Sequence, residues 1–238
     1  MQFEKHNIQD VNTWYAFAPP MGGAKQWKDG RSAKELAKYM TSRLPLLPPE
    51  LERALAPFAA SDAVFSWNAE YVTDFSSHDL GRGEGRNHDA VMWNDTVFVG
   101  IEGKADESLG NGFVASEYAA GSDNKKKRIA GLTDMIWGDH PENHPHIRYQ
   151  LLTASAAVLL EANDAAHRVK KAMLIVLVFK KTGAYRQEKI DQNNADIRSF
   201  LIECGAIRTG DCYRIPTKYG EQHGINLYFQ KIDIDLEE

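Results

Sequence analysis

The alternation of apolar and polar positions divides the chain into strand-like and helix-like segments. Val97 to Ile101 is β-branched and aromatic, which predicts a strand. Asp89 to Trp93 carries a second strand pattern, and Asn94-Asp95 between the two tolerates a tight turn. With that turn, Trp93 faces Thr96, Val91 faces Phe98 and Asp89 faces Gly100. Side chains alternate along a strand, so Phe98, Gly100, Glu102 and Lys104 share one face. Val97, Val99 and Ile101 share the other, expected to be the buried one. Asp89 becomes the diagonal neighbour of Glu102, within reach of a long side chain. A slip of one residue would turn it to the opposite face.

The rest of the pattern supplies the surroundings. Residues 1–30 read as irregular, broken by Pro19-Pro20 and Gly22-Gly23. Ser32-Ala33-Lys34-Glu35 reads as a capping box that opens a helix through about Arg43, with Leu36, Ala37 and Met40 as its stripe. Pro49 suits the first position of a helix reaching Phe58. Ala63 to Phe75 is rich in Val, Phe, Trp and Tyr and predicts a strand, followed by a glycine-rich loop, Ser76 to Arg86. Asn111 to Gly138 predicts helix in two pieces, including Lys125 to Trp137, and two prolines make 138–146 a loop. Ile147 to Asn163 predicts a strong helix. Lys171 to Lys180 is continuously apolar, as a covered central strand requires. A helix over Tyr185 to Cys204, stopped by Gly205, and strands at Cys212 to Ile215 and Ile225 to Ile234 close the chain.

Composition narrows the classes. The chain has 238 residues, 43% hydrophobic and 26% charged, with no repeat or convincing linker, so one domain over 1–238 is expected. The formal net charge is −5, which excludes a global basic field for nucleic acid and leaves local patches. Two cysteines without CxxC spacing exclude a disulfide framework and disfavour paired-cysteine zinc. The first residues carry no apolar signal segment, and no apolar run is long enough to span a bilayer. A cytoplasmic setting without membrane contact is the expectation. No GxSxG or Walker pattern is present.

The order helix, three strands, helix, strand, with Asp89 followed by Glu102-Gly103-Lys104, resembles the PD-(D/E)XK superfamily of restriction-endonuclease-like nucleases. The resemblance covers roughly Ser32 to Phe179, a core of about 32–180 followed by a helix and strand extension. It implies an α/β fold with a mixed central sheet flanked by helices. Asp89 matches the first acid, although His88 stands where proline is frequent. Glu102 and Lys104 match the acid-x-lysine signature. The helix opened by Arg148, Tyr149 and Gln150 matches the element that often supplies a polar residue, here Gln150, across a long insertion. What the resemblance implies is hydrolysis of phosphodiesters in DNA, or alternatively RNA, with Mg²⁺ or Mn²⁺ as cofactor. Asp89 and Glu102 would be metal ligands and Lys104 would orient the attacking water. Many nucleases of this fold act as homodimers. The alternative is a catalytically inactive relative that kept the fold as a nucleic-acid- or protein-binding accessory module.

Other candidates have both a sharp and a bland reading. Glu70 is a third metal ligand or a solvated strand residue. Lys125, Lys126, Lys127 and Arg128 track a phosphate backbone or form a solvated helix face. Arg82 and Arg86, in the loop Gly81 to Arg86, can touch phosphate, but that loop precedes a strand and fails as a dinucleotide fingerprint. His140, His144 and His146 suggest a metal, yet zinc needs a preorganised scaffold, and a surface loop is the expectation. Trp14, Trp27 and Trp67 read as anchors of core or loop rather than stacking platforms.

Overall fold

A computed structural model describes the backbone of Gln2–Phe3 and residues 8–60, 62–83 and 85–236. In chain order its elements are β1 (Gln2–Phe3), α1 (Val11–Phe17), α2 (Ser32–Thr41), α3 (Pro49–Leu55), β2 (Ser66–Thr73), β3 (Arg86–Trp93) and β4 (Phe98–Ala105). There follow α4 (Val114–Ala119), α5 (Asp123–Trp137), α6 (Tyr149–Asn163), β5 (Lys171–Lys180) and α7 (Gln187–Glu203). The chain closes with β6 (Ile207–Thr209), β7 (Cys212–Ile215), α8 (Lys218–His223) and β8 (Asn226–Asp235).

All eight strands join one sheet in the order β1-β2-β3-β4-β5-β8-β7-β6. β2, β3 and β4 form an antiparallel meander, whereas β5 runs parallel to both β4 and β8. The fold is therefore α/β with a mixed central sheet flanked by helices on both faces. The unbroken apolar run of β5 places it between β4 and β8, where helices cover both its sides. One core packs α5, α6 and α7 against Val91, Phe98, Leu174 and Val176. The other packs α1, α2 and α3 against Met92, Val99, Ile101 and Ile175. α6 is apolar almost all round because it lies between the sheet and α5, α4 and α8.

Several local expectations are corrected. Residues 11–17 are helical, because Asp10 and Thr13 form a reciprocal capping box; Met1 and residues 4–7 lie outside the described residues. Ser32 does not cap α2: Arg31 holds the cap position without a side-chain bond. The Ser32 hydroxyl instead accepts from Ala105 N and contacts Glu107, tying α2 to the end of β4. β6 and α8 carried no signal that the pattern reading used. The hairpin turn is four residues, 94–97, because Asn94 Oδ1 accepts from both Thr96 N and Val97 N. Trp93 consequently pairs with Phe98 and Val91 with Gly100, a shift of two from the expected register that preserves face parity. The face carrying Glu102 is not solvated: all eight residues of β4 are buried, since α6 covers that side. Among the described residues no helix is long and apolar enough to cross a membrane.

Candidate active site

The site begins where the regular ladder stops. The last β3–β4 pair is Ala90 with Ile101. Beyond it, Gly103 N donates to Asp89 Oδ2 at 2.8 Å, so a side chain takes the place of a ladder carbonyl. Opposite Asp89, Glu70 interrupts the β2–β3 pairing with a left-handed backbone, φ 49°. A non-glycine residue there is uncommon and mildly strained. Asn87 Nδ2 holds Glu70 Oε2 at 2.6 Å.

Glu102 is 1% exposed and surrounded by donors. His88 Nδ1 lies 3.1 Å from Oε1, Gln150 Nε2 donates to Oε2 at 2.9 Å, and the Arg86 guanidinium contacts Oε2. Burial alone would raise its pKa, but Arg86, His88 and Lys104 overcome burial and bring it down to about 2. The neighbouring acids move the other way. Burial, then the Asp89 charge, raises Glu70 to about 8, while burial, then the Glu102 charge, raises Asp89 to about 6. His88 is fully buried, and burial holds it below its ordinary value despite the Glu102 carboxylate. Lys104, 6% exposed, places Nζ 3.8 Å from Glu107 Oε1, and its charge lowers both Asp89 and Glu102.

Two cavities border this cluster. Glu70, Asp89 and Lys104 line the first, beside Ser32 and Glu107 and under the segment that contains Lys25 and Arg31. Arg86, Arg128, Tyr149, Gln150 and Thr153 line the second, together with Glu117. α2 packs closely on the end of β4: Gly103 turns its open side toward Leu36, whose Cβ would lie 3.3 Å from an added Cβ.

The structure thus brings Glu70, Asp89, Glu102, Lys104 and Gln150 together from β2, β3, β4 and α6. Arg86, expected in a loop beside the site, opens β3 and contacts Glu102; Glu84, in the same glycine-rich segment, lies outside the described residues. Sequence reasoning missed His88 as a partner of Glu102. Its signal was Gly100, two residues before Glu102. A Cβ at Gly100 would come within 2.9 Å of His88 Cε1 and 2.6 Å of Val158 Cγ1, so only glycine admits the ring.

The basic cluster on α5 is partly neutralised. Lys125 contacts Glu117, Lys127 Nζ lies 2.7 Å from Asp79, and Arg128 donates to Arg82 O at 2.8 Å. Lys126 lies over the Tyr118 ring. The three histidines do not converge: His140 faces Glu142, His144 is buried against Glu203 and Trp137, and His146 is exposed. Trp14 and Trp67 pack together in the core, 5.4 Å between centroids, and Trp27 packs beside it against Tyr15.

Oxygen donors of this kind suit a hard divalent cation. Asp89 Oδ1 meets no protein donor among the described residues, and repulsion between the acids is what a cation would relieve. Glu102 does not fit in this arrangement, because both its oxygens are engaged by Arg86, His88 and Gln150. Accordingly, no group of three or more His, Cys, Asp or Glu side chains among the described residues is disposed to hold a metal.

Fold and site together define a mixed α/β protein with a buried carboxylate–lysine cluster where its meander meets α6. The chain belongs to the family described as Domain of unknown function (DUF6946), which matches residues 7–236. Neither the curated proteins nor the solved structures give a match.

Proposed function

We propose that the protein hydrolyses phosphodiester bonds in DNA with Mg²⁺ or Mn²⁺, as the resemblance to PD-(D/E)XK nucleases implies. The observation that carries this reading is the convergence of Asp89, Glu102, Lys104 and Gln150 from separate elements, with Gln150 Nε2 2.9 Å from Glu102 and Gly103 N 2.8 Å from Asp89. The order of α2, the β2–β4 meander, α6 and the parallel β5 supports it as well.

Asp89 and Glu70 would hold the metal, joined by Glu102 once its present partners let it go. Bound there, the ion would polarise the scissile phosphate and acidify a water. Lys104, buried at the end of β4, would orient that water and offset the charge that develops on phosphate. Gln150 would fix the orientation of the Glu102 carboxylate.

The test is cleavage of plasmid and single-stranded DNA with Mg²⁺ or Mn²⁺. Lys104→Ala is expected to lower the rate by about 10²-fold or more, the scale of one general-base or electrostatic group, while far-UV circular dichroism stays unchanged. Cleavage equal to wild type in that variant would remove Lys104 from the reaction. A second reading, a non-cleaving accessory module, is favoured by one observation: Glu102 is held by Arg86, His88 and Gln150. Salt-sensitive DNA retardation without cleavage would decide for it.

A further inference from the structure

The first cavity, about 360 Å³, is a cleft between the β2–β4 meander and the segment that joins α1 to α2. That is the small end of ligand clefts, with room for about one nucleotide and not for two paired strands. The joining segment is tied down. Gly23 N donates to Pro20 O at 2.7 Å, Gly22 N to Gln26 Oε1 at 3.0 Å and Arg31 N to Lys28 O at 3.0 Å. Trp27 packs on Tyr15, 5.1 Å between centroids. Lys25 and Arg31 of this segment line the cleft. Both are exposed, and neither side chain makes an ion pair or hydrogen bond among the described residues. The carboxylates nearby are answered elsewhere. Asp106, whose charge Arg31 feels, pairs with Arg186 at 3.0 Å, and Glu107 takes the Ser32 hydroxyl. Asp89 accepts from Gly103 N, and Glu70, protonated to about pH 8, accepts from Asn87. Arg31 occupies the cap of α2 without a side-chain bond, and Ser32 and Ala33 line the cleft, so the positive end of that helix borders it. Met21 stands at the same mouth, 79% exposed. Unpaired cations beside an exposed apolar side chain suit a phosphate with an unpaired base, whereas a duplex keeps its base faces stacked inside.

We propose that this cleft takes a single nucleic-acid strand rather than a duplex, with Lys25 and Arg31 holding the phosphates that flank the scissile one and Met21 lying against an unpaired base. The inference rests on the nuclease reading for the place of the scissile phosphate, beside Lys104. The grip itself uses only the cations of this chain and needs no metal. Lys25 and Arg31 bind and orient the strand and take no part in proton transfer.

Binding is therefore measured in EDTA, by fluorescence anisotropy of a labelled oligothymidylate over a salt series, with its duplex with oligodeoxyadenylate for comparison. Lys25→Ala with Arg31→Ala is expected to make the fall of log K with log salt shallower by about 1.4, two contacts on a single strand. Lys25→Arg with Arg31→Lys keeps both charges and should restore the slope. Met21→Ala should weaken binding about threefold and leave the slope alone, because it removes only apolar surface. The duplex should bind about tenfold more weakly, since it withholds its bases. A wild-type slope in the double-alanine variant would overturn the grip by Lys25 and Arg31. Duplex bound as tightly as single strand, or no binding of either in EDTA, would overturn the single-strand cleft. Steady-state cleavage separates this from the nuclease reading. Binding as expected without cleavage would support the cleft and sink the nuclease reading. Cleavage by the double-alanine variant with KM unchanged would sink the cleft and leave the nuclease reading standing; KM raised with kcat kept is the expected result.

Discussion

Glu102 stays ionised inside the protein because Arg86, His88 and Lys104 offset its burial, and Glu70 and Asp89 show what happens to carboxylates without such a set. In the metal-free folded protein Glu70 keeps its proton to about pH 8, whereas its ordinary value is 4.5. Between those values the folded state binds more protons than the unfolded chain, so stability falls as pH rises through that window. Asp89 acts in the same direction from 3.8 to about 6. Glu102 acts oppositely: its stabilisation is full above 4.5 and is lost as pH falls toward about 2. Allowing for partial exposure, the Glu70 contribution is on the order of 1–3 kcal/mol. Thermal melts in chelator are expected to show Tm falling across the upper window, with Glu70→Gln flattening the fall. An unchanged slope in that variant would contradict the burial of Glu70. The residue scale is also where the sequence was least legible. Asp89, Glu102 and Lys104 were readable from strand parity, because a two-residue register shift keeps faces intact. Which side chain lies beside Glu102 was not, since that depends on the four-residue turn built by the Asn94 side chain.

Among the elements, α6 connects the two halves of the site, and two contacts fix its position. Val158 meets β4 at Gly100, and Arg148 at its N-terminal cap pairs with Asp196 of α7 at 2.7 Å. Gly100→Ala would force a methyl against both Val158 and His88. The expected loss is about 1–3 kcal/mol, the scale of overpacking, measured by urea denaturation. A neutral result would mean that α6 can retreat. The Arg148–Asp196 pair is almost wholly buried, with side chains 10% and 6% exposed. Removing one member leaves an uncompensated buried charge, so Asp196→Ala is expected to cost about 3–5 kcal/mol. Arg148→Met with Asp196→Leu is expected to cost less than Asp196→Ala alone, because desolvation then falls on neither partner. The reverse order would show that the pair stabilises beyond its desolvation. β5 was legible to the residue because a strand covered on both faces must be apolar throughout. α1 was obscured by the neighbouring prolines and glycines, although Asp10 and Thr13 carried its cap. The supposed cap at Ser32 shows the opposite error: a correct residue spacing was recruited by a tertiary contact to β4.

At the scale of the whole molecule, the net charge of −5 means that nucleic-acid binding has to come from a small area. The structure reduces that area further. Lys125 and Lys127 are paired with Glu117 and Asp79, so their release to phosphate would leave an acid behind. Arg86 is committed to Glu102 until something displaces it. Arg82 is exposed and makes no ion pair among the described residues, and Lys126 lies over Tyr118. Those two, with Lys25 or Arg31 at the mouth of the first cavity, give a duplex about two or three phosphate contacts. Counterion release makes log K fall with log salt at about 0.9 per phosphate neutralised on duplex DNA, so a slope of roughly −2 to −3 is expected. Fluorescence anisotropy of labelled duplex over a salt series measures it. Lys127→Ala should leave the slope nearly unchanged, because its charge is already answered by Asp79, whereas Arg82→Ala should make it shallower by about one contact. A slope steeper than about −5 would require a basic surface larger than these side chains provide, for which a second copy of the chain on the same duplex is the simplest source. The same measurement therefore separates a compact cavity, reading a few phosphates beside Glu102, from a paired assembly that grips both strands.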